Sequence, residues 1–133
     1  MTKQYLLDTH TFIWAAISSE NNRFSGHVKA ELEDMGSELF VSSVSIYEIV
    51  NKYRQGKLPE YSQLAENIHE ALNGLEANEL PLNWGHAERA AGLDWPHRDP
   101  FDRMLAAQAQ IEEMTLITCD KAFDSAPDVE TLW

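Results

Sequence analysis

The sequence predicts an α/β fold, a parallel sheet with helices on both of its faces. Three observations carry this. Short apolar runs that read as buried strands alternate with longer segments that carry helix caps and helical spacing. Strands separated by helices pair in parallel, and their crossovers are right-handed. The chain has 133 residues, enough for one domain over residues 1–133, and no linker, repeat or low-complexity tract divides it.

Residues 5–7, Tyr-Leu-Leu, form the first buried strand, which ends at Asp8. A loop is expected from there into the apolar stretch 12–17. Residues 18–22 are polar and turn-like. Ser25 then caps a helix to about Met35, and Gly36 ends it. Residues 38–42 read as a second strand. Ser42 or Ser43 caps a helix to about Gln55, stopped by Gly56 and Pro59. A third helix is expected over 62–72. Residues 79–82 contain Pro81 and read as an edge strand. A short helix runs from Asn83 or Trp84 to Ala91. Asp99 caps a strong helix from Pro100 to about Glu113. Residues 115–118 are the clearest strand, and 129–133 read as the last.

Asp and Glu number 22 against 10 Lys and Arg, a net charge of −12. That excludes nucleic-acid binding through bulk positive charge. It leaves open a protein that reaches phosphate through bound divalent cations. The single cysteine, Cys119, excludes an intrachain disulfide and a multi-cysteine zinc site, and it reads as a small buried filler. The five histidines show no zinc-type spacing, and His10 reads as structural or as an outer neighbour of the site. No secretory leader is apparent, and the longest apolar run, 12–17, is too short to span a membrane. A soluble, cytoplasmic protein without membrane contact is expected. Neither phosphate-binding glycine loop is present, and the Ser42-Ser43 pair lacks a nucleophile elbow.

In an open parallel sheet, ligands bind beyond the C-terminal strand ends. Asp8 ends the first strand, and Asp120 follows the 115–118 strand by two residues. Asp99 and Asp102 open the helix before that strand, which starts on the same rim. Glu48 lies in the second turn of the helix after the second strand. Each acid has an ordinary explanation when taken singly. Asp99 and Asp102 suit a helix N-terminus, and Asp120 suits a cap. On a helical wheel, Ile46, Ile49, Val50 and Tyr53 make the core face, which leaves Glu48 in solvent. What favours a site is the shared rim. Clustered carboxylates raise one another's pKa and need a cation, and an all-oxygen set suits Mg²⁺ or Mn²⁺. Such sites hydrolyse phosphodiesters.

The run 6–14, Leu-Leu-Asp-Thr-His-Thr-Phe-Ile-Trp, resembles the opening of PIN-domain nucleases, particularly VapC-type toxins. Residues 43–49, with Gly56-Lys57-Leu58, are similar to that family's second motif. Residues 97–109, from His97-Arg98-Asp99-Pro100-Phe101-Asp102-Arg103 onward, are similar to its third, the most specific. Residues 116–123, containing Cys119-Asp120-Lys121, resemble its fourth. The resemblance spans nearly the whole chain. It implies a PIN-like three-layer fold with strand order 3-2-1-4-5 and a Mg²⁺- or Mn²⁺-dependent ribonuclease. Its catalytic and metal-holding acids would be Asp8, Glu48, Asp102 and Asp120, which places Glu48 in the site against the wheel. Asp99 would be a cap or an outer residue. Thr9, Thr11 and Ser43 could orient ligands or hydrogen-bond phosphate, and Arg98, Arg103 and Lys121, which flank the acids, could bind RNA phosphates or equally be solvated or ion-paired. The implied role is the toxin of a toxin–antitoxin pair that cuts structured RNA, tRNA or rRNA, to 5′-phosphate and 3′-hydroxyl ends. Its partners would be a cognate antitoxin, a second copy in a homodimer, and the larger toxin–antitoxin complex. Some of Phe12, Ile13, Trp14, Tyr47, Tyr53 and Leu58 would anchor the antitoxin.

Two other classes compete. An aspartyl-nucleophile phosphatase would use Asp8, but it wants an acid two residues on, where His10 stands. A receiver-like non-catalytic interaction domain wants paired acids at the first strand end, where Asp8 is alone.

Overall fold

A computed structural model describes residues 2–133, the side chain of Ser18 excepted. Five parallel strands lie in the order β3-β2-β1-β4-β5, the order expected. They are β1 (Lys3–Leu7), β2 (Ser37–Ser42), β3 (Asn78–Leu80), β4 (Thr115–Ile117) and β5 (Thr131–Leu132). The helices are α1 (Thr9–Ala16), α2 (Gly26–Glu33), α3 (Ser43–Arg54), α4 (Ser62–Glu66), α5 (Ile68–Gly74), α6 (Trp84–Gly92) and α7 (Pro100–Glu112). Among the described residues, no helix is long and apolar enough to cross a membrane.

The central strand explains the layering. Successive strand residues point to opposite faces, so Leu6 and Leu7, both fully buried, serve two cores. Leu7 packs with Phe12, Val28, Val41, Ile49, Leu64 and Ile117 under α1 to α5. Leu6 packs with Leu105, Ala106, Leu116 and Phe123 under α7 and its neighbours. Register pairs Leu6 with Phe40 and Leu116, and Leu7 with Val41 and Ile117. The C-terminal ends of β1, β2 and β4 therefore lie side by side.

Four expectations about local structure are corrected. No loop follows β1: Asp8 is itself the N-cap of α1, accepting from Thr11 N at 2.8 Å, so the helix starts at Thr9. The helix expected over 62–72 is broken at Asn67, whose side chain donates to Gln63 O at 2.9 Å and whose backbone leaves the helical region. Phe12 and Ile13 are buried in the core and are not surface anchors, whereas Tyr47 is 62% exposed. Cys119 is exposed at the end of β4 and is no buried filler. The predicted caps Ser25 and Asp99, and Ser42 of the pair Ser42 or Ser43, accept backbone N–H groups of their helices, and Asn83, expected only as a possible first residue of its helix, is the cap of α6.

Candidate functional site

Asp8 stands where β1 turns into α1, and it is buried. Its backbone N–H donates to Ile117 O at 3.2 Å, which carries the β1–β4 ladder one residue past the strand. One carboxylate oxygen takes the Thr11 N–H, and the other takes the Thr118 hydroxyl at 2.5 Å. Thr118 is buried and also accepts from Asp120 N at 3.0 Å. With its oxygen occupied by that N–H, the hydroxyl proton is directed at Asp8. One threonine thus ties the acid after β1 to the acid after β4.

Asp120 is exposed and caps the short 3₁₀ turn Lys121–Ser125, accepting from Ala122 N at 3.0 Å. The thiol of Cys119, between Thr118 and Asp120, is held above its ordinary range. Desolvation is the main cause, followed by the charge of Asp8, with Asp120 adding to it.

Glu48 is not the solvated residue that the wheel makes it. Its side chain is only 12% exposed. Oε1 accepts from Thr9 Oγ1 at 2.7 Å, and Oε2 pairs with Lys52 Nζ at 2.7 Å. The Thr9 hydroxyl also lies 3.0 Å from Ser45 Oγ, which is fully buried. Ser45, Glu48 and Lys52 form a second working face of α3, turned to the start of α1. The wheel assumed one face for a helix that has neighbours on several sides.

Asp102 lies in the first turn of α7. Asp99 is the cap of that helix, accepting from Phe101 N at 2.9 Å and Asp102 N at 3.3 Å. Asp102 Oδ2 meets His97 Nε2 at 2.7 Å. Burial pushes the Asp102 carboxyl up to about 6; the His97 hydrogen bond opposes that shift, and the charges of Asp99 and Asp120 add to it.

The structure thus links Asp8 to Asp120 through Thr118 and joins Glu48 to the α1 start through Thr9. It sets Asp102 within the electrostatic reach of Asp99 and Asp120. Among the described residues, no three His, Cys, Asp or Glu side chains are grouped as a ready-made metal cage. The donor chemistry still fits a hard divalent cation. The acids offer oxygen alone, and Mg²⁺ keeps several waters and takes one or two carboxylates together with substrate phosphate. Burial is the main cause of the raised Asp102 carboxyl, and a cation bound there would offset both that cost and the smaller repulsion from Asp99 and Asp120.

Of the other predicted residues, Thr11 donates its hydroxyl to Ile117 O at 2.9 Å, and Ser43 Oγ accepts from Leu82 N at 3.1 Å. Both hold backbone, not ligand. Arg103 is not free for RNA. Its guanidinium donates to the carbonyls of Ala90, Leu93, Trp95 and His97 at 2.7–3.0 Å. Arg98 and Lys121 are exposed. His10 is exposed and stacks on Trp14, ring centroids 5.7 Å apart.

Sequence reasoning gave no role to Thr118 or His97. A hydroxyl at the end of an apolar strand was the available signal for the first. A histidine five residues before an acid at a helix start was the signal for the second.

A family model described as the PIN domain matches residues 5–129. No curated protein matches the sequence. Among solved structures, the chain is similar to one in the VapBC2 complex of Rickettsia felis bound to a DNA fragment from its promoter. That match has 17% identity, covers 97% of each chain and has a TM-score of 0.69. It is also similar to a chain of the DNA-bound VapBC of Salmonella typhimurium, at 18% identity, 99% and 98% coverage and a TM-score of 0.69. A toxin–antitoxin complex from Klebsiella pneumoniae contains a third similar chain, at 20% identity, 94% coverage of both chains and a TM-score of 0.62.

Proposed function

The chain belongs to the PIN domain family, and from that premise we propose that it is a Mg²⁺- or Mn²⁺-dependent endoribonuclease, the toxin of a toxin–antitoxin pair. The observation that supports this reading is the arrangement beyond β1 and β4: Asp8 and Asp120 share Thr118, and Asp102 lies within electrostatic reach of Asp120. Glu48 bonds Thr9, the residue after Asp8, and the acids come from four separate segments. Nothing in the packing of two apolar cores requires four acids there. The names of the similar complexes support an antitoxin as partner.

Asp8, Asp102 and Asp120 would hold the cation directly or through water, and Glu48 would hold a second ion or orient the attacking water. The cation would supply an activated water and offset charge on the attacking and leaving oxygens. The protein's own contribution is order. Thr118 and the Thr11 N–H fix both oxygens of Asp8. Thr9 and Lys52 fix those of Glu48, and the Lys52 ammonium limits the negative charge presented to phosphate. Arg98 and Lys121, both exposed and close in sequence to Asp102 and Asp120, would meet RNA phosphates, which matters in a chain of net charge −12. The products expected are 5′-phosphate and 3′-hydroxyl ends. The substrate class expected is structured RNA, tRNA or rRNA, cut by a homodimer or by a form released from its antitoxin complex.

The test is cleavage of total RNA by purified protein with Mg²⁺ or Mn²⁺, followed by end mapping. Cleavage that requires the metal and leaves 5′-phosphates is the expected result. Cleavage undiminished by EDTA would remove the metal from the mechanism. Hydrolysis of an aryl phosphate without RNA cleavage would turn the assignment toward a phosphatase.

A further inference from the structure

The segment between α6 and α7 carries more structure than a connection needs. Residues 93–99 have no helix or strand of their own, yet Arg103 clamps them. Its Nε and both terminal nitrogens donate to four carbonyls, those of Ala90, Leu93, Trp95 and His97. A planar guanidinium is suited to this, because its donors are fixed in a fork. Trp95 is 4% exposed and donates its indole N–H to Ser125 Oγ at 3.1 Å. The His97 ring packs against the Trp95 ring, with centroids 4.8 Å apart. That ring therefore has a fixed backbone beneath it and a fixed wall beside it. Its Nε2 is aimed at Asp102 Oδ2 at 2.7 Å.

We infer that His97 is a positioning residue for Asp102, and that Arg103 holds the 93–99 segment so that His97 can do this. The proposal rests on the reading of Asp102 as a metal-holding acid and names the residues that set its orientation. Asp102 is partly exposed at a helix start, where a carboxylate on two rotatable bonds is otherwise free to turn. A hydrogen bond to one oxygen stops that rotation and leaves the second oxygen, Oδ1, for another partner. Partners that orient metal-binding groups are worth about 10–100-fold in metal affinity or activity.

Two variants separate positioning from packing. His97→Gln keeps a nitrogen donor near the place of Nε2 and loses the ring on Trp95. His97→Phe keeps a ring on Trp95 and loses the donor. Mn²⁺ binding to the protein without RNA is measured by titration, RNA cleavage against Mg²⁺ concentration is measured in parallel, and thermal unfolding is followed for each variant. If His97 positions Asp102, His97→Phe binds Mn²⁺ about 10–100-fold more weakly at near-normal stability, and His97→Gln recovers most of the loss. Arg103→Lys, which keeps the charge and loses the fork, shows an intermediate loss of Mn²⁺ affinity. If His97 only packs, the order reverses, with His97→Phe near wild type and His97→Gln unstable. That result overturns the proposal, as does Mn²⁺ affinity unchanged within twofold in both variants. Wild-type protein that neither binds Mn²⁺ nor cleaves RNA overturns the metal-site reading and this proposal with it. Wild-type protein that does both while His97→Phe matches it overturns the proposal alone.

Discussion

The two halves of the acidic rim are built differently. On the α1–α3 side, Asp8 is buried and Glu48 nearly so, and every carboxylate oxygen has a partner within 2.8 Å: the Thr11 N–H, Thr118, Thr9 and Lys52. On the α7–β4 side, Asp120 is exposed and Asp102 is half-buried, and each uses one oxygen while the other stays open. The first half is preorganised by hydroxyls and backbone. The second carries a carboxylate in an unfavourable setting: the carboxyl of Asp102 is pushed up to about 6, chiefly by burial and to a lesser extent by the charges of Asp99 and Asp120. The difference teaches that one sheet rim can keep acids near one another by two different means. One side fixes geometry through hydrogen bonds, and the other keeps carboxylate charge that, on the proposed reading, a cation would offset.

The largest effect expected from breaking the ordered half is Asp8→Asn. The substitution keeps an oxygen for the Thr11 N–H and turns an amide toward Thr118, so the fold should survive with a loss of about 1 kcal/mol. RNA cleavage should fall by more than about 100-fold, and growth arrest on expression without antitoxin should be relieved. Equal arrest by the wild type and a folded Asp8→Asn protein would remove Asp8 from the site.

Glu48→Gln follows. It loses the Lys52 pair, an i,i+4 contact worth about 0.5 kcal/mol, so thermal unfolding should hardly move. Single-turnover cleavage at saturating Mg²⁺ should drop about 10–100-fold. A rate equal to wild type would return Glu48 to an ordinary helix position. Third, Thr118→Val keeps the shape and removes the hydroxyl joining the two halves. Buried Asp8 Oδ2 and Asp120 N each lose a partner. The unpaired groups should cost about 2 kcal/mol in denaturant unfolding. No loss of stability would show that Thr118 does not link the halves.

What could be read from sequence divides along a physical line. Strand order, both-face layering and the caps Ser25, Ser42 and Asp99 follow from local chemistry, from resemblance or from period-2 apolarity as at Leu6 and Leu7, and they were legible. The convergence of Asp8 and Asp120 on a rim was legible from strand ends. Contacts to backbone carbonyls were not, because they leave no side-chain partner in the sequence. Arg103 reads as a cation for RNA until its four carbonyls are seen. The position of Glu48 was legible only through resemblance. A wheel finds the most apolar face of α3 and is blind to a polar face that meets Thr9. The exposure of Cys119 was missed for a related reason: the strand ends at Ile117, one residue before the expected end at Thr118, so Cys119 lies beyond it.

The smallest effect belongs to the strained half and has a definite sign. In the fold, the Asp102 carboxyl lies at about 6, against an ordinary value of 3.8, with burial the leading cause. The folded protein therefore binds that proton more tightly than the unfolded chain does. Between pH 4 and pH 6 the native state holds more protons, so stability falls as pH rises through that window and the full deficit is present above it. Asp102→Asn abolishes the deficit and keeps an oxygen to accept from His97 Nε2. At pH 7.5 the variant should be more stable by about 1 kcal/mol, once partial exposure and screening are allowed for. At pH 4, where wild-type Asp102 is protonated in the fold, the gain should vanish. Millimolar Mg²⁺ should shrink the gain at pH 7.5, because a cation at the rim stabilises the wild type and has less to hold in the variant. Thermal unfolding at the two pH values, with and without Mg²⁺, checks all three. A gain that is the same at pH 4 and pH 7.5 would mean that the charge of Asp102 is not what strains this side of the rim.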